Sequence, residues 1–140
     1  MDALLKKMNF KEGMKIQIWN APEEMSSTIQ NWEKEGLLTK KGEKPDFMLA
    51  FVYSKEEIDR YFEEMHALSP EDEAIWIAYP KGTSKKYKVK INRDSGWGKV
   101  GELDYEGVRQ IAINEDWSAL RFRKVKFIKT LTRKFSAKNQ

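Results

Sequence analysis

The residues that most constrain this chain are Ala74-Ile75-Trp76-Ile77-Ala78, five apolar side chains in succession, followed by Tyr79-Pro80-Lys81-Gly82. An unbroken apolar run bounded by turn residues predicts a strand buried on both faces, at home in a parallel sheet covered by helices on each side. Pro80 has no N–H to donate and is expected to end the ladder. Lys81-Gly82 then opens a polar loop at the strand's carboxyl end, where open α/β sheets place their sites.

Neighbouring segments supply the rest of such a sheet. Phe47–Tyr53 is a second continuous apolar run, and Lys15–Trp19 alternates, with Ile16 and Ile18 on one side. Three parallel strands over 15–19, 47–53 and 74–78 are therefore expected. Ser54 and Glu57 form a capping box, and Ile58, Tyr61, Phe62 and Met65 follow at the spacing of one buried helical face. Leu4, Leu5 and Met8 mark a short opening helix. Asn20 is expected to cap the helix after the first strand, with Pro22 in its first turn and Glu23 completing the box. Met25, Ile29 and Trp32 form that helix's apolar stripe, and Gly36 stops it. Tyr87, Val89 and Ile91 alternate with lysines as an extended segment with one wet face, and a weak helix is expected over 93–103. Residues 108–114 and 118–125 read as an antiparallel hairpin.

The chain has 140 residues, enough for one domain with a single core. It has no cysteine, which removes disulfides and thiolate chemistry and points to a reducing, cytoplasmic setting. No apolar stretch is long enough for a signal peptide or a membrane span. The net charge of +4 is unevenly spread: eight basic and no acidic residues follow from Trp117 onward, whereas the first 116 carry 18 basic and 22 acidic, a net of −4. Residues 1–125 are read as the domain and 126–140 as a basic amphipathic tail. Arg121, Arg123, Lys126, Lys129, Arg133 and Lys134 are the candidates for contact with nucleic acid or an acidic partner.

The candidate ligand residues gather at one edge of the expected sheet. Asn20 follows the first strand, Ser54 the second, and Lys81 and Ser84 the third, with two helix starts pointing the same way. That is a crevice suited to a small anionic molecule. The literal Gly96-Trp97-Gly98-Lys99-Val100-Gly101 lacks the buried strand and apolar helix of a dinucleotide fingerprint, and reads as a turn around an anchored Trp97. His66, the only histidine, ends a helix and has no identifiable catalytic partner. One histidine and no cysteine leave too few ligands for zinc. Glu56-Glu57 and Glu63-Glu64 read as a solvated helix face. No metal, cofactor or catalytic residue is expected.

Two resemblances follow from these residues. Phe10-Lys11-Glu12-Gly13-Met14-Lys15-Ile16 resembles the entry to the first strand of Rossmann-like S-adenosylmethionine methyltransferases. Leu68-Ser69-Pro70-Glu71-Asp72 stands where those enzymes have a Lys-Pro-Gly-Gly turn, and the closing hairpin matches theirs. The resemblance implies an α/β, Rossmann-like three-layer sandwich with sheet order 1-2-3-5-4 and strand five antiparallel. The chain departs from the pattern after strand one, where Trp19-Asn20-Ala21-Pro22 replaces the glycine-rich cofactor turn. The stretch before Phe47 is also too short for two further strands. Asn20-Ala21-Pro22, Ile75–Lys81, Arg93-Asp94-Ser95-Gly96-Trp97 and Asp116–Phe122 resemble a bacterial family, the domain-of-unknown-function 3052 family, which implies a fold and no activity. The expectation is a small binding or accessory domain rather than an enzyme, with an anionic ligand at the strand ends. The alternatives are a methyltransferase-like enzyme and nucleic-acid binding through the basic tail.

Overall fold

The structure, a computed structural model, describes residues 2–89, 91–92 and 95–128. Lys129, Arg133 and Lys134, with most of the expected tail, lie outside the described residues. Five strands form one sheet in the order β1-β2-β3-β5-β4. They are β1 (Ile16–Trp19), β2 (Phe47–Phe51), β3 (Ala74–Pro80), β4 (Tyr105–Ala112) and β5 (Trp117–Lys124). β1, β2 and β3 are parallel, with Ile18 opposite Leu49 and Leu49 opposite Trp76. β5 runs antiparallel between β3 and β4.

The apolar runs produce the layers. Along β2 and β3, every residue is buried, and alternate side chains enter different cores. Met48, Ala50, Ile75 and Ile77 meet Ile58, Phe62 and Met65 of α3 (Lys55–Ala67) and Val100 of α4 (Gly98–Glu102). Phe47, Leu49, Phe51 and Trp76 belong to the opposite core, with Leu5 of α1 (Ala3–Lys7) and Trp32 of α2 (Ser26–Lys34). Each such aromatic or aliphatic side chain contributes about 1.5–3 kcal/mol by leaving water. Asp2 ties the first two helices together: one oxygen accepts from Leu5 N (2.8 Å) and the other from the Trp32 indole (2.5 Å).

The strand order β1-β2-β3 advances in one direction, yet α2 and α3 cover opposite faces. The two crossovers therefore have opposite hands, and one departs from the right-handed rule. The loop after β1 turns to one face and the loop after β2 to the other. That divergence falls at two adjacent carboxyl ends, the place where ligands bind in open α/β sheets.

Several expectations need correction. The strand expected over 74–78 runs on to Pro80, which is its last residue, opposite Trp117, and the Lys81 N–H just beyond donates to Asp116 O at 2.8 Å. Lys81 makes the bond to Asp116, the residue before β5, so the position of Pro80 needs no donor on that side. On the other side β2 ends at Phe51, opposite Ala78. Residues 87–89 and 91 join no strand of the sheet; Tyr87 and Val89 are partly buried and Ile91 is buried, packed as separate side chains onto the two cores. The weak helix over 93–103 contracts to the five residues of α4. The hairpin begins three residues earlier than expected, at Tyr105. A register shift between Gly107 and Arg109 leaves Val108 bulged and 40% exposed, which blunts an edge strand.

Candidate functional site

Asn20 sits directly at the crevice between β1 and β2. It adopts φ +59°, a left-handed conformation that asparagine tolerates better than most residues. Its side chain does not cap α2, as expected from the sequence. The short turn at Glu23–Met25 that leads into α2 instead has Pro22 at its N-cap, with no side-chain bond. The Asn20 amide turns across the crevice and donates to Phe51 O (2.9 Å) and to Glu57 Oε2 (3.2 Å). Glu57 is not simply part of a solvated helix face: its Oε1 accepts the Tyr53 N–H at 2.6 Å, while Glu57 N donates to Ser54 Oγ at 3.2 Å. Ser54 thus caps the helix, while the Glu57 carboxylate reaches Tyr53 N rather than the Ser54 N–H of a full capping box, and it also secures Asn20. The end of β1 is stapled to the end of β2 and the start of α3.

The second half of the predicted set lies beside β3. Ser84 is buried, donates to Asp116 Oδ1 (2.7 Å) and accepts from the N–H groups of Lys86 (3.2 Å) and Tyr87 (3.0 Å). Lys81 is held through its main chain. Ser84 therefore shapes the loop, and the Lys81 ammonium has no ion-pair partner among the described residues.

Between the two halves stands an aromatic trio. Tyr53, Tyr87 and Trp117 contact one another with ring centroids 5.1–5.6 Å apart. Glu24 lies against them. Its Oε2 accepts the Tyr87 hydroxyl at 2.5 Å and the Trp117 indole at 3.1 Å, and its Oε1 accepts Lys86 Nζ at 3.1 Å. Desolvation pushes the Glu24 carboxyl up. Hydrogen bonds from Tyr87, Trp117, its own backbone and Lys86 outweigh that and hold its pKa at about 2. Burial and donation to Glu24 push the Tyr87 phenol up, so it stays a donor. Cavities of about 420 and 400 Å³ flank this cluster. One is lined by Leu4, Glu24, Thr28 and Asn114, the other by Thr83, Lys85, Lys86 and Asp116.

Sequence reasoning missed Glu24 altogether and reads Trp117 as a core or hairpin packing residue. No local pattern marks the pair, which are 93 positions apart. The signal that was available is compositional: a polar tip on each of two aromatics expected near a strand end needs an acceptor.

The candidate basic residues are not equivalent. Arg123 grips Asp72 as a fork, with Nη2 to Oδ2 at 2.7 Å and Nε within 3.1 Å of both oxygens. Arg121 is partly buried, and its Nε has no acceptor. The Lys126 ammonium lies over the Phe127 ring, 5.2 Å from its centroid. At the other end of the sheet His66 Nδ1 meets the Tyr105 hydroxyl (2.9 Å), beside a cavity of about 520 Å³ that Leu103 and Val125 help to line. Trp97 is buried and its indole donates to Asn92 O at 2.8 Å, so the glycine motif wraps an anchored side chain.

With this geometry in place, two solved structures are similar over most of the chain. One, a Streptococcus agalactiae protein in the NADB-Rossmann superfamily, is 11% identical with a TM-score of 0.52, over 94% of this chain and 71% of that one. The other, a SAM dependent methyltransferase from Aquifex aeolicus, is 14% identical with a TM-score of 0.52, over 87% of this chain and 88% of that one. The fold is Rossmann-like. At these identities the likeness extends to architecture alone. No family model matches the chain and no curated protein matches it, so the quoted motifs are the whole support for the 3052 resemblance.

The residues present do not fit a bound S-adenosylmethionine or dinucleotide. The turn after β1 has no glycine, and its Asn20 side chain closes onto Phe51 O. The trio and the Glu24 carboxylate take up the adjoining space. No helix among the described residues is long and apolar enough to cross a membrane.

Proposed function

We propose that the chain is a small binding or accessory domain that has kept a Rossmann-like scaffold and exchanged cofactor binding for recognition of a carboxylate-bearing small molecule. One observation carries this reading: Glu24 places a carboxylate of the chain itself on three converging donors, Tyr87, Trp117 and Lys86. That constellation is a carboxylate receptor already holding an internal anion. The cavities on either side give an external anion a route to it. Lys81, at the end of β3, supplies a further cation, while Asn20, Ser54 and Ser84 hold the rim. The resemblance to the domain-of-unknown-function 3052 family agrees with a role without assigned chemistry.

The test is calorimetric titration of the wild type and of Glu24→Ala with small carboxylates, nucleotides and S-adenosylmethionine. Removing the internal competitor is expected to tighten carboxylate binding by about tenfold. Absence of saturable carboxylate binding in both proteins overturns the proposal. The alternative reading, a methyltransferase-like enzyme, shares only the fold with the Aquifex aeolicus methyltransferase, and saturable S-adenosylmethionine binding to the wild type would favour it over the first.

A further inference from the structure

A second set of unused donors lies away from the strand-end crevice. Trp76 of β3, Arg121 of β5 and Arg109 of β4 occupy one row across the sheet, Trp76 opposite Arg121 and Arg121 opposite Arg109. Trp76 belongs to the core on the α1 and α2 side, so the row is on that face. The Trp76 side chain is fully buried and its Nε1 has no acceptor, and the same is true of the buried Arg121 Nε. Arg109, at the solvent end of the row, is exposed.

Two like charges directly opposite on neighbouring strands repel. Among the described residues neither Arg109 nor Arg121 has an ion-pair partner. The acids on this side are committed or displaced: both oxygens of Asp72 are taken by Arg123, and Glu106 is in register with Arg123 rather than Arg121. Burial, Arg123 and Arg109 all push the Arg121 pKa down, and Asp72 opposes them only partly. Two arginines at paired register positions, in one row with an indole N–H that has no acceptor, are donors that a tetrahedral oxyanion can satisfy together.

We infer that the Trp76–Arg121–Arg109 row binds a phosphoryl oxyanion, with Arg121 and Arg109 as the paired forks and Trp76 as the inner donor. The phosphoryl group belongs either to a small phosphate compound or to a nucleic-acid phosphodiester, and the two are separable by probe. Pyrophosphate and a short single-stranded oligonucleotide are each titrated calorimetrically at low salt into the wild type, Arg109→Ser, Arg121→Lys, Trp76→Phe and Lys44→Ser. Lys44 is an exposed loop residue whose loss removes the same charge elsewhere. Arg109→Ser alters an exposed strand position and is expected to keep the fold, checked by near-ultraviolet circular dichroism.

Saturable binding that weakens about tenfold in each arginine variant and is unchanged in Lys44→Ser supports the site. Trp76→Phe is expected to lose about threefold. Response to pyrophosphate identifies a small phosphate compound as sufficient, and response to the oligonucleotide alone identifies the phosphodiester. No saturable binding of either probe, or equal weakening in Lys44→Ser, overturns the inference.

Discussion

The Tyr87 hydroxyl and the Trp117 indole donate to the same oxygen of Glu24, at 2.5 and 3.1 Å, although 63 and 93 positions separate them from it in the chain. This contact joins the turn before α2, the loop after β3 and the first residue of β5. Three segments that meet nowhere in sequence are thereby fixed at the carboxyl edge of the sheet, the same edge that Asn20 staples on its other side.

The Glu24 carboxyl gives the fold an acid-sensitive contribution. Its pKa is about 2 in the folded chain against an ordinary value of 4.5, so the unfolded chain binds the proton first as pH falls. The stabilisation is complete above pH 4.5 and is lost progressively as pH falls from there toward 2. The side chain is 25% exposed, so the contribution is discounted for solvent to about 1–2 kcal/mol. Urea unfolding across pH 2–6 should show Glu24→Gln less stable than the wild type near pH 6, with the gap narrowing toward pH 2. A gap that stays constant with pH would show that the carboxylate's charge does not matter.

Asn20 combines two separable roles, a left-handed backbone and an amide staple. Asn20→Gly keeps the φ of +59° without strain but loses both side-chain bonds. Asn20→Ala loses the bonds and strains the backbone as well. The glycine variant should cost about 1 kcal/mol and the alanine variant about 2 kcal/mol by chemical denaturation. Equal losses would mean that the left-handed backbone contributes nothing.

Much of the fold was legible because it rests on local periodicity. The Ile58, Phe62 and Met65 spacing marks α3, the continuous runs at Phe47 and Ala74 mark β2 and β3, and those three helix residues and every residue of the two strands are buried. The candidate site was legible only as a location. The strand-end positions of Asn20, Ser54 and Lys81 follow from topology, whereas what their side chains do is decided by partners distant in sequence. Asn20 has good N-cap chemistry, yet β1 ends where its amide reaches Phe51 O first. Glu24 follows a residue, Glu23, that fits the local capping pattern better, and nothing within a few positions identifies it as the acceptor for Tyr87. The Val108 bulge is similarly non-local, set by how β4 must re-register on β5.

Ser54 caps the longest helix, so its loss should be felt at α3. The hydroxyl accepts Glu57 N at 3.2 Å, and Ser54→Ala leaves that N–H without its partner. The expected cost is about 1 kcal/mol in denaturant unfolding. Glu57→Gln keeps an acceptor for the Tyr53 N–H and should cost less than Glu57→Ala, which also removes one of the two acceptors of the Asn20 amide. A Glu57→Ala variant as stable as the wild type would show that the crevice staple is not under load.

Tyr105 supplies an alkaline counterpart to Glu24 at the opposite end of the sheet. Its ring is buried against Phe62 and its hydroxyl meets His66 Nδ1 at 2.9 Å. Burial pushes its pKa up to about 12, with a hydrogen bond from Ser69 acting the other way and the Glu73 charge adding to the rise. Below pH 10, the ordinary phenol value, both folded and unfolded chains keep the proton and stability is unaffected. Between about 10 and 12 the unfolded chain releases it first, and stability falls. Tyr105→Phe should therefore cost about 1 kcal/mol at pH 7 through the lost bond to His66. Tyr53 and Tyr87 are also raised and titrate in both proteins, so the difference between variant and wild type isolates Tyr105. By pH 11 that difference should shrink or reverse; a difference independent of pH would place the Tyr105 hydroxyl in contact with water rather than in the core.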